Sequence, residues 1–278
     1  MVTEELALRI EQSEIDHITS WMRFLRDLGG NPFNIAVREL GNSVALMDST
    51  ASLGPLLNRV LGFDSSSLPH MQALMRLYDD RQVGCRFDIN PYRGSANVYR
   101  ALADSKLVPF RFHSALYLQA NSSEVQTLAP PVPSNLHVEH VTHDQEDVWA
   151  STWLNGFTEA LGLAPGIGAL LAGRTAQLYK IPGWTLYLAR VDGQPAAAAA
   201  LYVQDGVATP CLAGTTPGFR GQGCQTALLR TRLADAVEQN CDLIAAQSAL
   251  GSTSQNNMER AGMRVAYTRA FWWKPYQA

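Results

Sequence analysis

No apolar run in this 278-residue chain comes near the roughly 18 to 20 residues that a membrane-spanning helix needs. The longest purely apolar stretch, Ala196 to Val203, is the length of a single strand, so no membrane partner is expected. The chain also lacks a surplus of charge: 22 Lys and Arg stand against 25 Asp and Glu, a net of −3. Divided near Pro130, neither half is basic enough to wrap a phosphate backbone, and no nucleic-acid partner is expected. Cysteine is scarce, and Cys85, Cys211, Cys224 and Cys241 show no CxxC spacing. That argues against a zinc ribbon and a disulfide scaffold and predicts free thiols. The first residues, with Glu4, Glu5, Glu11 and Glu14, lack the basic-then-apolar order of a secretory leader, so the expected location is the cytoplasm.

What is present suits a globular fold: 46% of residues are hydrophobic and 17% charged. The length predicts about two domains. The clearest boundary is QTLAPPVPSN, where Pro130, Pro131 and Pro133 favour an extended connector. The reading is therefore a first domain over 1–125, a linker over 126–135 and a second domain over 136–278.

In the second half, a short strand at Leu136 to Thr142 precedes helical stretches from Asp144 to Leu163 and near Ile167. Three strands follow, Trp184 to Val191, Pro195 to Val203 and Val207 to Thr215, joined by Asp192-Gly193 and Asp205-Gly206, which are hairpin signals. From Thr226 to Asn240 the period changes to that of a helix, with Leu229, Leu233, Ala236 and Val237 on one face. Strand-like residues to Ala249, a helix at Ser252 to Ala261 ended by Gly262, and a strand from Arg264 to Trp273 close the half. The first half repeats the order loosely: a helix to Leu28, strands at Phe33 to Val37 and Ser43 to Asp48, a helix at Ser67 to Asp79, a strand at Cys85 to Ile89, a helix at Ala96 to Ala103 and a strand at Pro109 to Leu118.

The segment LAGTTPGFRGQGCQT, 212–226, carries the chemistry. A strand ends, Pro217 stops it, and Arg220, Gly221, Gln222 and Gly223 lead straight into a helix, whose free amides and positive dipole end favour an anion. Glycines let a pyrophosphate approach the backbone, Arg220 adds charge and Thr226 a hydroxyl. A dinucleotide fingerprint would need glycine at 226 and a parallel βαβ setting, and a P-loop would need Gly-Lys-Ser/Thr; both are absent.

With its surroundings, residues 136 to 275 resemble the GNAT superfamily of acyl-CoA-dependent N-acyltransferases. The resemblance rests on LYLARVDGQPAAAAALYVQDG, then TTPGFRGQGCQTALL, then NNMERAGMRVAYTRAFW. The family loop motif falls on Arg220 and Gly223, and its last position, Gly or Ala in the family, is Gln225 here. The resemblance implies an α/β (α+β) chain of two GNAT-like domains in tandem, each a mixed, mainly antiparallel sheet flanked by helices, the first degenerate and without the loop. In its place stands the stretch from Pro55 to Gly62. The resemblance further implies acetyl-CoA as acyl donor, held by Ala213 and Thr215 along the pantetheine arm and by Arg220, Gly221, Gln222, Gly223, Cys224, Gln225 and Thr226 at the pyrophosphate, with Asn257 nearby. Acetyl transfer to an amine of a small molecule or peptide by direct attack is the implied reaction. The alternative is a non-catalytic acyl-CoA-binding or interaction protein that keeps the fold.

Many family members carry a tyrosine as general acid four residues before the glycine that ends the last helix; that position is Met258. Tyr267 is the nearest replacement in sequence, and Glu159 is the candidate base, although packing and a solvated helix face are the competing readings of each. His137, His140 and His143 alternate faces of a strand, so no metal is expected. The chain is expected to act as a monomer or homodimer.

Overall fold

The computed structural model describes residues 1–50, 54–120, 133–161 and 165–276, and it describes no side chain at 55, 158–161 or 165. Most of the proline-rich segment, 126–132, lies outside the described residues. The chain divides into two compact units. The first comprises Met1–Ala115, Ser248–Leu250 and Ala266–Ala278; the second comprises Leu116–Gln247 and Gly251–Val265.

The first unit opens with α1 (Glu4–Asp27), whose N-cap Thr3 accepts a hydrogen bond from the Leu6 amide and whose first turn is acidic. Ile10, Ile18, Met22 and Leu25 recur at helical spacing and are buried. Next come β1 (Ile35–Leu40) and β2 (Ser43–Asp48), an antiparallel hairpin. A short strand that the sequence pattern did not reveal, β3 (Arg59–Leu61), pairs antiparallel with β2. Through α2 (Met71–Asp79) the chain crosses over to β4 (Cys85–Asp88), parallel to β3. The elements α3 (Ala96–Asp104) and β5 (Val108–Gln119) follow.

The second unit begins with β6 (Leu136–His140), α4 (Glu146–Leu161) and α5 (Pro165–Thr175). An antiparallel meander follows: β7 (Trp184–Val191), β8 (Gln194–Gln204) and β9 (Val207–Thr215). Its two turns, Asp192-Gly193 and Asp205-Gly206, hold positive φ at both residues, the geometry that closes two-residue hairpins. A crossover through α6 (Cys224–Glu238) reaches β10 (Leu243–Ala249), parallel to β9. Each unit thus contains a run of antiparallel pairings, two in the first and three in the second, followed by a parallel crossover through a helix.

The chain ends with α7 (Thr253–Arg260) and β11 (Arg264–Lys274). Division of the sequence at 126–135 keeps β11 with the second half. Instead, β11 pairs antiparallel with β4, from Phe271 opposite Asp88 to Lys274 opposite Cys85, and the chain from Ala266 onward belongs to the first unit. A buried charge network holds it there. The Arg269 guanidinium, 1% exposed, lies 2.6 Å from the Glu14 carboxylate of α1. Arg59 reaches both Glu14 and Asp88 at 3.2 Å, and Arg86 grips Asp88 at 2.6 Å. Burial alone would push the Glu14 carboxyl up; Arg269 and Arg59 outweigh it and bring it down to about 2.

Candidate functional site

The site is built on β8, where Ala196 to Ala200 are all fully buried. Their methyl groups leave room for bulk above the sheet, and α4 supplies it. Trp149 and Trp153 stack with ring centroids 5.8 Å apart, and the Trp149 indole N–H donates to the carbonyls of Tyr187 at 3.1 Å and Ala199 at 3.3 Å. Trp153 leans on Phe157. Beside Phe157, α4 meets β9 backbone to backbone: a Cβ added to Gly156 would lie 2.7 Å from the carbonyl carbon of Gly214 and 2.9 Å from the amide of Thr215. Only glycine allows this approach.

Strand β9 is irregular where α4 crosses it. Its register with β8 runs Ala200 to Cys211 but then Ala198 to Gly214, a bulge at which Leu212 adopts a φ of 50°. From α6, Arg232, 3% exposed, donates to the carbonyls of Ala200 at 3.2 Å and Cys211 at 3.3 Å, pinning the bulge. Burial pulls its guanidinium down to about 10. Opposite, β9 and β10 pair only at Val207 with Leu243 and Ala208 with Ile244. Among the described residues, the edge of β9 that carries Ala213 and Thr215 has no further ladder partner in β10.

The chain leaves β9 through a 3₁₀ turn at Pro217–Phe219 and reaches α6 through Gly221 and Gly223, with φ of 78° and 86°. Within α6 the Ala227 amide bonds the Gly223 carbonyl, so the amides of Cys224, Gln225 and Thr226 precede the helical ladder, and Gly223 offers no side-chain cap. A Cβ built at Gly218 or Gly221 meets nothing within 4 Å, and Arg220 is exposed. An open approach to unladdered amides, the positive end of a helix and a guanidinium form a cradle for a phosphate-like anion. Across it, the Gln225 carboxamide donates to the Thr215 hydroxyl at 2.8 Å, and Gln222 donates to the Gly218 carbonyl at 3.2 Å.

Residues 138–246 match the family model described as acetyltransferase (GNAT) domain. These residues are thus similar to a GNAT acetyltransferase domain. The structure is similar to a GCN5-related N-acetyltransferase from Kribbella flavida, with a TM-score of 0.64 and 14% identity over 97% of this chain and 96% of that one. A GCN5-related N-acetyltransferase from Sphaerobacter thermophilus matches at a TM-score of 0.61 and 16% identity, over 92% of this chain and 85% of the other. A tandem GNAT protein from the clavulanic acid biosynthesis pathway matches at 0.60 and 12% identity, over 94% and 95%. At these identities the likeness shows the fold, two GNAT-like domains in tandem. No curated protein matches the chain in sequence.

The second unit gathers Ala213, Thr215 and the loop from Arg220 to Thr226 around one strand end and one helix start. Cys224 is buried, its thiol pushed up by desolvation and pointing to the Phe219 carbonyl at 3.8 Å, so it packs beneath the loop. Asn257 lies on α7, where its side-chain oxygen accepts from Arg260. Met258 packs against the core of the domain. Tyr267 falls in the first unit. Its ring is 6% exposed and packs edge-on against Tyr92, and its hydroxyl has no hydrogen-bond partner among the described residues. Burial pushes that hydroxyl well above the usual tyrosine range, so the environment is that of a core residue. Glu159 belongs to α4, but its side chain lies outside the described residues. His140 pairs with Asp235 at 2.7 Å and His143 with Glu146 at 2.9 Å. Among the described residues, no His, Cys, Asp or Glu side chains group to hold a metal ion, and no helix is long and apolar enough to cross a membrane.

Sequence reasoning missed Gly156, Gly214 and Arg232. An isolated glycine inside the helical stretch WLNGFTEALGL was the available signal for close backbone approach. Nothing local marks Arg232, whose acceptors belong to strands far away in sequence.

Proposed function

We propose that the protein is an N-acyltransferase that takes an acetyl group from acetyl-CoA and passes it to the amine of a small molecule or peptide by direct attack. The observation that carries this reading is the open start of α6, with unladdered amides behind two left-handed glycines at the end of a bulged strand. In this reading the amides from Gly221 to Thr226 and the Arg220 guanidinium hold the pyrophosphate, and the free edge of β9 at Ala213 and Thr215 aligns the pantetheine arm. Asn257 supports the arm from α7. The resting of α4 on Gly214 and Thr215 sets the distance between donor strand and acceptor helix, and positioning is a large part of the rate.

Glu159 stands three residues beyond Gly156 on α4 and is proposed as the base that removes the ammonium proton. A lysine-like amine with a pKa near 10.4 is neutral in only about one part in 2,500 at pH 7, whereas a thiol with a pKa near 8.5 leaves readily as its anion. Proton removal is the larger demand, so Met258 in place of an acid leaves the reaction feasible, and Tyr267 is not assigned to it.

One donor site per chain is proposed. In the first unit, the loop between β3 and α2 already holds an anion of its own: the Asp64 carboxylate accepts from the amides of Ser66 at 3.0 Å and Ser67 at 3.1 Å and from Arg93 at 3.1 Å. The test is calorimetric titration with CoA, followed by CoA release from acetyl-CoA against an amine panel between pH 6 and 9. One site and activity rising with pH are expected. A folded protein that binds no CoA refutes the donor, and a flat profile with chemistry rate-limiting refutes direct amine attack. CoA binding with no release against any amine favours the non-catalytic reading, to which Met258 points.

A further inference from the structure

We propose that the hydrogen bond from Gln225 to Thr215 is a latch across the donor cleft, broken by the entering CoA, so that Gln225 sets the affinity for the donor. The proposal rests on the reading of this cleft as an acyl-CoA site. Gln225 is the second residue of α6, in the turn whose amides lack helical acceptors, and Thr215 is the last residue of β9, on the edge that β10 leaves uncovered. An extended donor ending in a diphosphate has to run along that edge and onto those amides, and the 2.8 Å bond joins the two surfaces.

Both anchors are held independently of the latch. Thr215 is backed by Gly156, with no room for one added carbon at its amide. Helix α6 is tied to the β8 and β9 backbone by Arg232. The flexible carboxamide of Gln225 is therefore the part that moves. A glutamine on the first turn of a helix can extend into water at no cost; here it is half-buried and folded onto the strand.

Calorimetry with CoA as the probe, on the full chain, tests this with wild type, Gln225→Ala, Thr215→Val, Thr215→Ser and the Gln225→Ala/Thr215→Val pair. Melting temperatures of the free proteins confirm folding. Loss of one net hydrogen bond from the free state predicts CoA binding roughly 2- to 12-fold tighter in Gln225→Ala. Thr215→Val should shift in the same direction, the pair should gain no more than the better single variant, and Thr215→Ser should match wild type. Unchanged or weaker binding by folded Gln225→Ala and Thr215→Val overturns the latch while leaving the acyl-CoA reading intact. Absence of CoA binding in wild type and every variant overturns that reading and the latch together.

Discussion

Two glycines on neighbouring helices should respond to the same substitution with opposite signs. Gly156→Ala in α4 places a methyl 2.7 Å from the Gly214 carbonyl carbon, 2.9 Å from the Gly214 Cα and 2.9 Å from the Thr215 amide, all backbone atoms of a paired strand. No side chain can swing aside, so α4 must lift by several tenths of an ångström. Overpacking of this kind costs about 1 to 3 kcal/mol. The gain in helix propensity on replacing glycine by alanine returns up to about 1 kcal/mol. The net expectation is a loss of up to about 2 kcal/mol, or up to roughly 8 °C in melting temperature for a chain of this size. Gly173→Ala in α5 meets nothing within 4 Å, so only the propensity gain remains and the variant should be more stable than wild type by about 0.5 to 1 kcal/mol. Urea and thermal melts of the two variants beside wild type decide the matter. Equal stabilisation of both would refute the backbone contact between α4 and β9, and with it the idea that this contact fixes the spacing of the site.

Gly223→Val forces a β-branched residue to a φ of 86°, with only an ordinary 3.6 Å contact to Pro133, so backbone strain of about 1 to 2 kcal/mol is expected together with loss of CoA binding. Wild type at 100 times its dissociation constant of CoA should gain about 2.7 kcal/mol in a ligand melt, and the variant none. Tyr267→Phe removes a buried hydroxyl that has no partner among the described residues and should leave stability level or slightly raised, with activity unchanged; a loss of about 10²-fold or more in kcat would restore it as an acid. Glu14→Gln removes the 2.6 Å partner of Arg269 and one of the two partners of Arg59, leaving the Asp88 carboxylate to serve the buried guanidiniums of Arg59, Arg86 and Arg269, and should cost about 3 to 5 kcal/mol in urea unfolding. Because the folded Glu14 carboxyl is depressed from 4.5 to about 2, its stabilisation is complete above 4.5 and lost as pH falls toward 2. Wild type should therefore lose stability through that window more steeply than Glu14→Gln.

Much of the second unit was legible because its signals are local. The Asp-Gly turns, the apolar face of α6 and the glycines before it each lie within one short window, and each determines an element without help from elsewhere. Strand β3 was not legible, since three residues, Arg59 to Leu61, are too few for alternation to register. Strand β11 was recognised as a strand but placed with the wrong neighbours. Its partners, Cys85 to Asp88, are brought to it by the pairing of Arg269 with Glu14, a contact between the first and last elements of the chain. The two glycines that lead into α6 could be read from their spacing, whereas the bond from Gln225 to Thr215 depends on how a helix start and a strand end converge.

The pairing of β4 with β11 also bears on synthesis. A ribosome that has just released Cys85 to Asp88 has still to make everything up to Arg264–Lys274, some 10 to 35 s of elongation at roughly 5 to 20 residues per second. Throughout that interval β4 presents an unpaired edge, and the carboxylates of Glu14 and Asp88 wait without Arg269. The first unit therefore begins early in translation, yet its β4 edge is covered only once β11 has been made.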